Sequence, residues 1–570
     1  MKFVFKHLRP FSGHMYYGLF IKFLGTITDL LIPYILAHII DNVTPTKNTK
    51  ALLWWGVAML ICSIGTFLFN AIANRVSAAV ARDTTRSIRG TLFKRIAYLS
   101  GSQMDHFTVP SLISRMTTDT HHIHRTVGML QRMGVRAPIL IFGGIIMTLT
   151  LDPVLALVLC CMMPIMAVVV FFISKKGLPL FNKVQSSMDK LVRIVRENTT
   201  GVRVIKALSR TEGEKERFQR VNQELMEDEK KANITMGFTR PATNLILNIG
   251  LVLVVVVGAH RVNAGLSEAG SITAFLSYFT TILYAMISIT RIITMSSQMI
   301  ACSNRIEEVI NAPMDLVPLP ETPTEENAPV IEFKNVCFSY NKKRDDLHNI
   351  SLTLEKGQSL GILGPTGSGK STLAALLLRF YDIDSGEILV NGKDVRQYSH
   401  AELRQKFGVV FQNDMVFNDT IEGNIKLWRN IEPDALELAT KVAQAEFIEK
   451  AGGMNAEISA RGTNLSGGQK QRLLIARALA GDPDILILDD SSSALDYKTD
   501  AALRAQINEH FSNTTTVIIA QRVSSIRNCD KILVLDGGCE LGFGTHEELL
   551  ESCELYREIY ALQMGEGETA

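Results

Sequence analysis

Six apolar stretches of membrane length constrain the fold of this chain more than any other feature. They lie at about 16–40, 52–73, 137–151, 154–173, 242–260 and 271–299. A helix needs about 20 mainly apolar residues to cross a bilayer, so these stretches predict six transmembrane helices. Buried helices of a large soluble protein are the alternative, but several stretches have full length and almost no charge. Asp152-Pro153 separates the third stretch from the fourth, and because proline ends a helix and aspartate favours water, a tight hairpin at a membrane surface is expected.

The charges of the two halves differ in sign. Residues 1–328 carry 34 Lys+Arg and 22 Asp+Glu, a net of +12, whereas residues 329–570 carry 25 and 35, a net of −10. The two long connections, 75–136 and 175–240, are basic, and the positive-inside rule places them in the cytoplasm. Both termini and the acidic second half then also lie inside, and spans two to five are expected to continue as long helices beyond the bilayer.

Cysteine usage indicates a reducing compartment. The 8 cysteines are scattered, no CxxC pair occurs, and Cys160 and Cys161 are adjacent within an apolar run. This pattern predicts neither a disulfide framework nor a zinc site. The first residues also lack the pattern of a cleavable signal or transit peptide.

Polar residues at membrane depth predict a substrate cavity. Such residues are costly in lipid and favour a functional role. Asn244 and Asn248 share one face of the fifth span, Arg291 lies in the sixth, and Asp29 lies in the first. The alternative is that they form hydrogen bonds between helices.

A proline-rich, acidic segment, "APMDLVPLPETPTEENAP", separates the membrane part from the acidic second half of the chain. Its composition resists packing. We therefore predict a transmembrane domain at 1–311, a linker at 312–329 and a soluble domain at 330–570.

The soluble part contains a complete phosphate-binding loop. The apolar run "LGIL" leads into Gly364, Pro365, Thr366, Gly367, Ser368, Gly369, Lys370, Ser371 and Thr372, where a helix begins. The glycines allow backbone N–H groups to turn toward phosphate oxygens, Lys370 adds a cation at the outer phosphates, and the Ser371 hydroxyl suits Mg²⁺. The helix adds its positive dipole end. ATP and Mg²⁺ are therefore the expected ligands.

A second motif, "ILILDD", completes the predicted metal site. Four apolar residues predict a buried parallel strand, and Asp489 at its end would hold the magnesium directly or through water. Asp490 comes next, at the position expected to act on the attacking water.

Between these motifs, "LSGGQ" at Leu465, Ser466, Gly467, Gly468 and Gln469 resembles the signature of ATP-binding-cassette (ABC) proteins. It caps a helix, so its hydroxyl and N–H groups would form an anion site. In the family this site faces the phosphate held by the other subunit. The resemblance also implies that Tyr340 stacks on adenine, that Gln412 senses magnesium, and that a crossing loop is formed by Ser493, Ala494, Leu495 and Asp496.

The resemblance covers essentially the whole chain. Six spans fused ahead of one cassette resemble a half-transporter of the ABC exporters (type IV fold), which implies an α-helical membrane domain joined to an α/β P-loop cassette. It also implies coupling helices near 104–113 and 201–207. A chain with one cassette must pair, so a dimer is expected.

Three positions depart from the family pattern. The catalytic base is normally Glu and is here Asp490, the switch residue is normally His and is here Gln521, and a Glu before "RG" is replaced by Ala460. Aspartate is one methylene shorter, which withdraws its carboxylate by about 1.5 Å. A misplacement of about 1 Å can cost roughly 10²-fold in rate, and a lost base roughly 10²–10⁴-fold. Gln521 can donate a hydrogen bond but cannot carry imidazolium charge.

The pattern therefore indicates the degenerate-site subunit of a bacterial heterodimeric multidrug-type exporter in the cytoplasmic membrane. Its own site would hold ATP, and its signature would complete the site of a nonidentical partner that bears Glu and His. Lipid or peptide export, a homodimer with two weak sites, tolerated drift in an active enzyme, and an ATP-switched membrane sensor are the alternatives. Import is disfavoured because importers usually carry the cassette on a separate chain. A nucleic-acid partner is not expected, because the basic residues flank the spans.

Overall fold

The computed structural model describes residues 1–314, 316–320, 328–342, 344–412, 414–491 and 494–564. The chain forms two compact units. The first comprises Met1–Tyr98 and Val109–Ala312, and the second comprises Leu99–Thr108 and Pro313–Ala570. A short segment from the first basic connection thus belongs to the second unit.

Helices account for almost all of the first 312 residues. They are α1 Lys2–Leu8, α2 Ser12–His38, α3 Thr49–Ile96, α4 Gly101–Phe107, α5 Val109–Ser114, α6 Thr120–Met133, α7 Arg136–Leu151, α8 Pro153–Ala207, α9 Thr211–Gly237, α10 Thr239–Asn263 and α11 Ala269–Ile310. Short π-helical segments at Ile39–Val43 and Arg115–Asp119 extend the helical stretches. Among the described residues, six helical stretches are long and apolar enough to cross a membrane, as predicted.

The long helices run far past membrane length. The 48 residues of α3 and the 55 residues of α8 each exceed twice the length that a bilayer needs. This confirms that helical structure continues beyond the apolar stretches. Residues 201–207 form the last turns of α8 and not a separate short helix, whereas the range 104–113 spans the end of α4 and most of α5.

The predicted hairpin between the third and fourth apolar stretches is confirmed, since α7 ends at Leu151 and α8 begins at Pro153. Asp152, however, does not face water: its residue is 2% exposed. Its Oδ1 accepts the N–H groups of Val154 (2.9 Å) and Leu155 (3.3 Å), and its Oδ2 accepts Nε of Arg261 at 2.8 Å. The carboxylate caps α8 and is neutralised by an arginine, which compensates for its burial.

The apolar side chains of the membrane unit face both inward and outward. Inside, Leu30, Leu159 and Tyr278 belong to one buried cluster, and the Tyr278 hydroxyl donates to the Leu30 carbonyl oxygen at 2.6 Å. Outside, Trp54 and Phe67 on α3 are 75% and 71% exposed. Large apolar groups exposed in such number favour contact with lipid.

Strands and short helices alternate in the second unit. Its strands are β1 Ile331–Phe338, β2 Leu347–Leu354, β3 Ser359–Leu363, β4 Ser385–Val390, β5 Lys393–Asp394, β6 Phe407–Val410, β7 Asp419–Thr420, β8 Glu457–Ile458, β9 Ile485–Asp489, β10 Thr515–Ile519, β11 Lys531–Asp536 and β12 Cys539–Gly544. Its helices after α4 are α12 Lys370–Leu377, α13 His400–Gln405, α14 Ile421–Lys426, α15 Pro433–Val442, α16 Phe447–Lys450, α17 Gly467–Leu479, α18 Tyr497–His510, α19 His546–Ser552 and α20 Glu554–Met564.

The sheet positions the predicted motifs. Its order is β5-β4-β1-β2-β12-β11-β3-β10-β9-β6, and the core strands β11, β3, β10, β9 and β6 are parallel. Every residue of β9 and β10 is buried, which explains the apolar runs 485–488 in β9 and 517–519 in β10. Because β3 and β9 are both parallel to β10, which lies between them, their carboxyl ends lie at one edge of the sheet. The phosphate-binding loop and Asp489 are thereby brought together.

The predicted linker at 312–329 is only partly described. Within the second unit, Leu319 N donates to the Arg396 carbonyl oxygen at 2.7 Å, and Arg379 Nη2 donates to the Val317 carbonyl oxygen at 3.0 Å. The middle of the segment is therefore bonded to the cassette. Residues 315 and 321–327 lie outside the described residues.

Candidate functional site

The phosphate-binding loop is a tight turn between β3 and α12. Gly367 and Gly369 have φ of +85° and +98°, values that other residues rarely adopt. A Cβ at Gly364 would lie 2.1 Å from the carbonyl oxygen of Leu535, so only glycine fits. Because α12 begins at Lys370, its free N–H groups point into the loop.

Lys370 lies folded over this loop. Its Nζ donates to the carbonyl oxygens of Gly364 (2.8 Å) and Pro365 (2.7 Å). Burial lowers the pKa of Lys370, and the neighbouring Asp489 and Asp490 carboxylates only partly oppose this. A partly buried ammonium above a ring of backbone N–H groups is suited to a highly charged anion.

Asp489 ends β9 beneath the loop, and its residue is 5% exposed. Burial raises the pKa of its carboxyl, the charge of Asp490 raises it further, and the hydrogen bond from Ser371 and the charge of Lys370 lower it. A buried carboxylate bonded to a hydroxyl is the oxygen-rich pair that Mg²⁺ prefers. Ser368 Oγ in the loop is buried and has no partner among the described residues.

The two unusual residues lie on the same cavity as Lys370. Asp490 has φ of +50°, a conformation that aspartate tolerates better than most residues, and its Oδ2 accepts Nε2 of Gln412 at 3.1 Å. The cavity has a volume of about 330 Å³. Its lining comprises Tyr340, Asp346, Thr366, Gly367, Gly369, Lys370, Ser371, Thr372, Gln412, Asp489, Asp490, Ile519, Ala520 and Gln521. Of the residues predicted to bind nucleotide, Gly364, Pro365 and Ser368 lie in the loop behind this lining.

Tyr340 stands at the rim of the cavity with 44% of its surface exposed. Its ring meets Phe338 and Tyr381 edge-on, at centroid distances of 4.8 and 5.0 Å. Its hydroxyl donates to Thr372 Oγ1 at 3.3 Å, and its N–H donates to Asp346 Oδ2 at 2.8 Å. The ring is thus held in place while the residue stays open to a flat ligand.

The signature residues form a capped helix start. Ser466 is the N-cap of α17, Gln469 N donates to Ser466 Oγ at 3.3 Å, and Ser466 N donates to Gln469 Oε1 at 2.8 Å. Ala494 N donates to Gln471 Oε1 at 3.0 Å, which joins the crossing loop to the same helix. Asp496 caps α18, and its bonds with Thr499 lower the pKa of its carboxyl. Ser493 lies outside the described residues.

The residues predicted to line a substrate cavity are separated in the structure. Asp29 lines a cavity of the membrane unit and accepts Arg136 Nη2 at 2.8 Å. Asn244 and Asn248 are exposed on α10, Arg291 is exposed on α11, and none of them belongs to the described lining of that cavity. Their role in substrate binding stays a prediction.

Two functional contacts were not predicted. Gln563 on α20 donates through Nε2 to the Gln521 carbonyl oxygen at 2.9 Å and accepts the Val523 N–H at 2.7 Å, so the last described helix holds the backbone of the switch residue. Asp105 on α4 accepts the Tyr381 hydroxyl at 2.7 Å, beside the aromatic group of Tyr340. Because both contacts join residues distant in sequence, no local motif indicates them.

Comparison with known proteins agrees with this geometry. Residues 15–286 match the ABC transporter transmembrane region, and residues 347–493 match the ABC transporter family. An uncharacterized ABC transporter ATP-binding protein from Mycobacterium tuberculosis is 33% identical over 572 residues, which cover 98% of this chain and 97% of that protein. This chain belongs to the ABC transporter family. It is therefore a multi-pass membrane protein whose cassette makes it an ATP-hydrolysing transporter.

Other proteins match this chain over almost its whole length. The uncharacterized ABC transporter ATP-binding protein YfiB from Bacillus subtilis is 33% identical over 562 residues, which cover 98% of each chain. The structure of a bacterial Atm1-family ABC exporter with ATP bound superimposes with a TM-score of 0.82 at 26% identity, and the match covers 98% of this chain and 99% of that one. The fold of this ABC transporter is that of an exporter, which suggests a dimer.

Tyr340→Ala is expected to weaken ATP binding by about tenfold or more, because base–aromatic stacking contributes roughly 1–3 kcal/mol. Tyr340→Phe keeps the ring and loses only the bond to Thr372, so its affinity should stay within about threefold of wild type. Displacement of a fluorescent ATP analogue from the purified transporter measures both. Equal losses in the two variants would exclude stacking as the role of Tyr340.

Gln563→Ala is expected to loosen the switch segment without unfolding the cassette. Two hydrogen bonds to backbone are lost, each worth about 0.5–1.5 kcal/mol. Hydrogen exchange of residues 520–525 should therefore accelerate several-fold. Gln506→Ala is the matched control, because Gln506 Nε2 bonds only to the exposed Glu509 carboxylate in the described contacts. Unchanged exchange in Gln563→Ala would contradict the role assigned to α20.

Proposed function

We propose that this chain is one half of a heterodimeric ABC exporter of the cytoplasmic membrane, and that its own ATP site holds nucleotide better than it cleaves it. The observation that carries the proposal is that Asp490 and Gln521 line one cavity together with Lys370. One cavity therefore lacks both the usual glutamate and the usual histidine. Two changes in a single catalytic set favour a degenerate site over tolerated drift.

The position of Asp490 supports slow hydrolysis. The Asp490 carboxylate reaches about 1.5 Å less far than that of a glutamate would. It is also held by Gln412, whose Nε2 donates to Asp490 Oδ2 at 3.1 Å. A general base must come within hydrogen-bond reach of the proton that it accepts. Gln521 can orient a phosphate through its amide but adds no positive charge to the site.

ATP and Mg²⁺ are the proposed ligands of this cavity. The loop N–H groups and Lys370 would bind the phosphates, Tyr340 would stack on the base, and the oxygens of Ser371, Gln412 and Asp489 would hold the magnesium. A bound Mg²⁺ neutralises phosphate charge. The buried, raised-pKa carboxyl of Asp489 fits this role because a cation would restore the ionised form.

The intact signature supports a partner with a competent site. Ser466, Gly467 and the residues around them present a capped helix start that, by the family resemblance, completes the ATP site of the other subunit. We propose a nonidentical half-transporter that carries the catalytic glutamate and switch histidine. Closure of the two cassettes on ATP would turn the membrane cavity outward, and hydrolysis in the partner's site would reset it.

The transported compound is proposed to be small and amphipathic, with both termini and the cassette in the cytoplasm. Lipid or peptide export, a homodimer, and an ATP-switched sensor without transport are the other outcomes. Co-expression with a neighbouring half-transporter, followed by a screen of ATPase stimulation against a compound panel, separates them. Proteoliposomes that show stimulation without movement of the compound would favour the sensor.

The deciding experiment compares the chain alone with the chain bound to its partner. We expect the chain alone to bind ATP with little Mg²⁺-dependent hydrolysis, and the two-chain complex to hydrolyse it briskly. Asp490→Asn should change the activity of the complex little. Brisk hydrolysis by the chain alone that Asp490→Asn removes would contradict the proposal, and stable self-association without a second chain would favour the homodimer.

A further inference from the structure

A cavity of about 320 Å³ opens within the membrane unit. Its lining comprises Asp29, Met133, Arg136, Ala137, Leu140, Thr281, Tyr284, Ala285 and Ser288. Arg136 Nη2 donates to Asp29 Oδ2 at 2.8 Å, and the two side chains are 41% and 27% exposed. The cavity is thus lined partly by apolar side chains and partly by an ion pair that a ligand in the cavity could contact.

The charge around this ion pair is not balanced. Lys22 lies two turns before Asp29 on the same face of α2, and its residue is 3% exposed. Its Nζ donates to Oδ1 of Asn70 (2.7 Å) and of Asn74 (3.3 Å), which are neutral acceptors. Among the described residues, the charges acting on Lys22 are Arg132 and Arg136, which repel it, and Asp29, which attracts it. Lys22, Arg132 and Arg136 therefore place three positive charges around the single carboxylate of Asp29.

Arg136 also has unused donors. Among the described residues its side chain makes one hydrogen bond, from Nη2 to Asp29, and 41% of that side chain is exposed, so further N–H groups of the guanidinium fork remain available. A guanidinium binds a carboxylate or phosphate most strongly through two parallel N–H groups. An acidic ligand could accept hydrogen bonds from these N–H groups.

The Thr281 and Ser288 hydroxyl groups of the cavity are not available to that ligand. Thr281 Oγ1 donates to the Ser277 carbonyl oxygen at 2.9 Å, and Ser288 Oγ donates to the Tyr284 carbonyl oxygen at 2.9 Å. Their hydrogens are committed to α11. The donors left for an anion are therefore those of the cationic side chains and the Tyr284 hydroxyl.

We propose that this cavity binds the acidic head of an amphipathic compound, a carboxylate, sulfonate or phosphate, and that it selects acidic substrates over neutral and cationic ones. The proposal rests on the export function and specifies its substrate class. Arg136 binds the acidic head, Lys22 and Arg132 add positive potential, and Met133, Ala137 and Leu140 contact the apolar body. Asp29 holds Arg136 in place and limits the affinity, because its charge repels the same head.

Binding without ATP tests this selection separately from transport. The probe is 11-(dansylamino)undecanoic acid, compared with its methyl ester, on the full chain with and without its partner in phosphatidylcholine nanodiscs. The acid is expected to bind about tenfold more tightly than the ester. Arg136→Gln should remove most of that difference while affinity for the ester stays unchanged.

Asp29→Asn gives a sharper test, because its expected effect on the affinity for the acid is opposite in sign to that of Arg136→Gln. Loss of the carboxylate should tighten binding of the acid several-fold, whereas a purely structural ion pair would lose affinity for both probes when either member is replaced. ATP-analogue binding confirms that each variant is folded. Competition by phosphatidylglycerol would assign the acidic head to a lipid, and lack of competition would assign it to a solute.

Equal affinity for acid and ester, or weaker acid binding in Asp29→Asn, would overturn the proposal. Neither result depends on hydrolysis or on the nature of the partner. Failure of the exporter proposal would instead appear as an absence of substrate movement in proteoliposomes while acid binding persists.

Discussion

Asp490→Glu combined with Gln521→His is expected to raise the rate of hydrolysis in this chain's own ATP site by about 10²-fold. A misplacement of a catalytic group by about 1 Å changes the rate by roughly this factor. The added methylene carries the carboxylate past its contact with Gln412 Nε2, now 3.1 Å from Asp490 Oδ2. Histidine restores a group that can hold positive charge beside the phosphate. Glutamate must also adopt the φ of +50° found at this position, which costs about 1–2 kcal/mol of stability and does not oppose the gain in rate.

The measurement needs a complex in which only this site can turn over. The partner's catalytic glutamate is replaced by glutamine, and Mg²⁺-dependent phosphate release is measured with and without the double substitution. Asp490→Asn is the matched control, because it keeps the size of the side chain and removes the base. If the complex with the silenced partner already hydrolyses ATP as fast as the intact complex, the site is not degenerate.

Ser466→Ala is expected to lower hydrolysis by the two-chain complex by about 10²-fold or more. Loss of one donor to a developing phosphate charge typically costs roughly 10²–10³-fold in rate, and Ser466 is the hydroxyl of the signature. Because this chain's signature is proposed to serve the partner's site, the loss should appear in the complex although the ATP site of this chain is untouched.

The chain offers a close control for this variant. Thr545 caps α19 with the same reciprocal box, in which Glu548 N donates to Thr545 Oγ1 and Thr545 N donates to Glu548 Oε2. Ser466→Ala and Thr545→Ala should each lower the free energy of unfolding by about 0.5–2 kcal/mol. Only Ser466→Ala should remove activity. Parallel losses in both variants would assign the effect to stability and not to phosphate binding.

Much of the architecture could be predicted locally. The six apolar stretches, the break at Asp152-Pro153 and the phosphate-binding loop each depend on contiguous residues whose spacing reflects a single element. Prediction failed where a partner came from far along the chain. Asp152 was expected to face water, but Arg261, 109 residues away, neutralises it and allows its burial.

The membrane cavity shows the same limit. Asp29, Asn244, Asn248 and Arg291 were grouped by depth and helical spacing, yet only Asp29 lies in the described cavity. Arg136 was missed, because at the start of α7 it could equally have been a cation at the membrane surface. Helical periodicity fixes which side of a helix a residue occupies but not which helix faces it.

The sequence by itself determined the class of this protein. Each membrane-length apolar stretch and the glycine-rich loop is formed by residues that are adjacent in sequence, so no distant contact is needed to recognise it. It also marked Asp490 and Gln521 as unusual. Only the tertiary structure decided that Gln412 holds Asp490, that Gln563 holds the switch backbone, and that Arg136 pairs with Asp29. These contacts join groups 78, 42 and 107 residues apart, and such pairs form only when the packing of helices and strands brings them within hydrogen-bond distance.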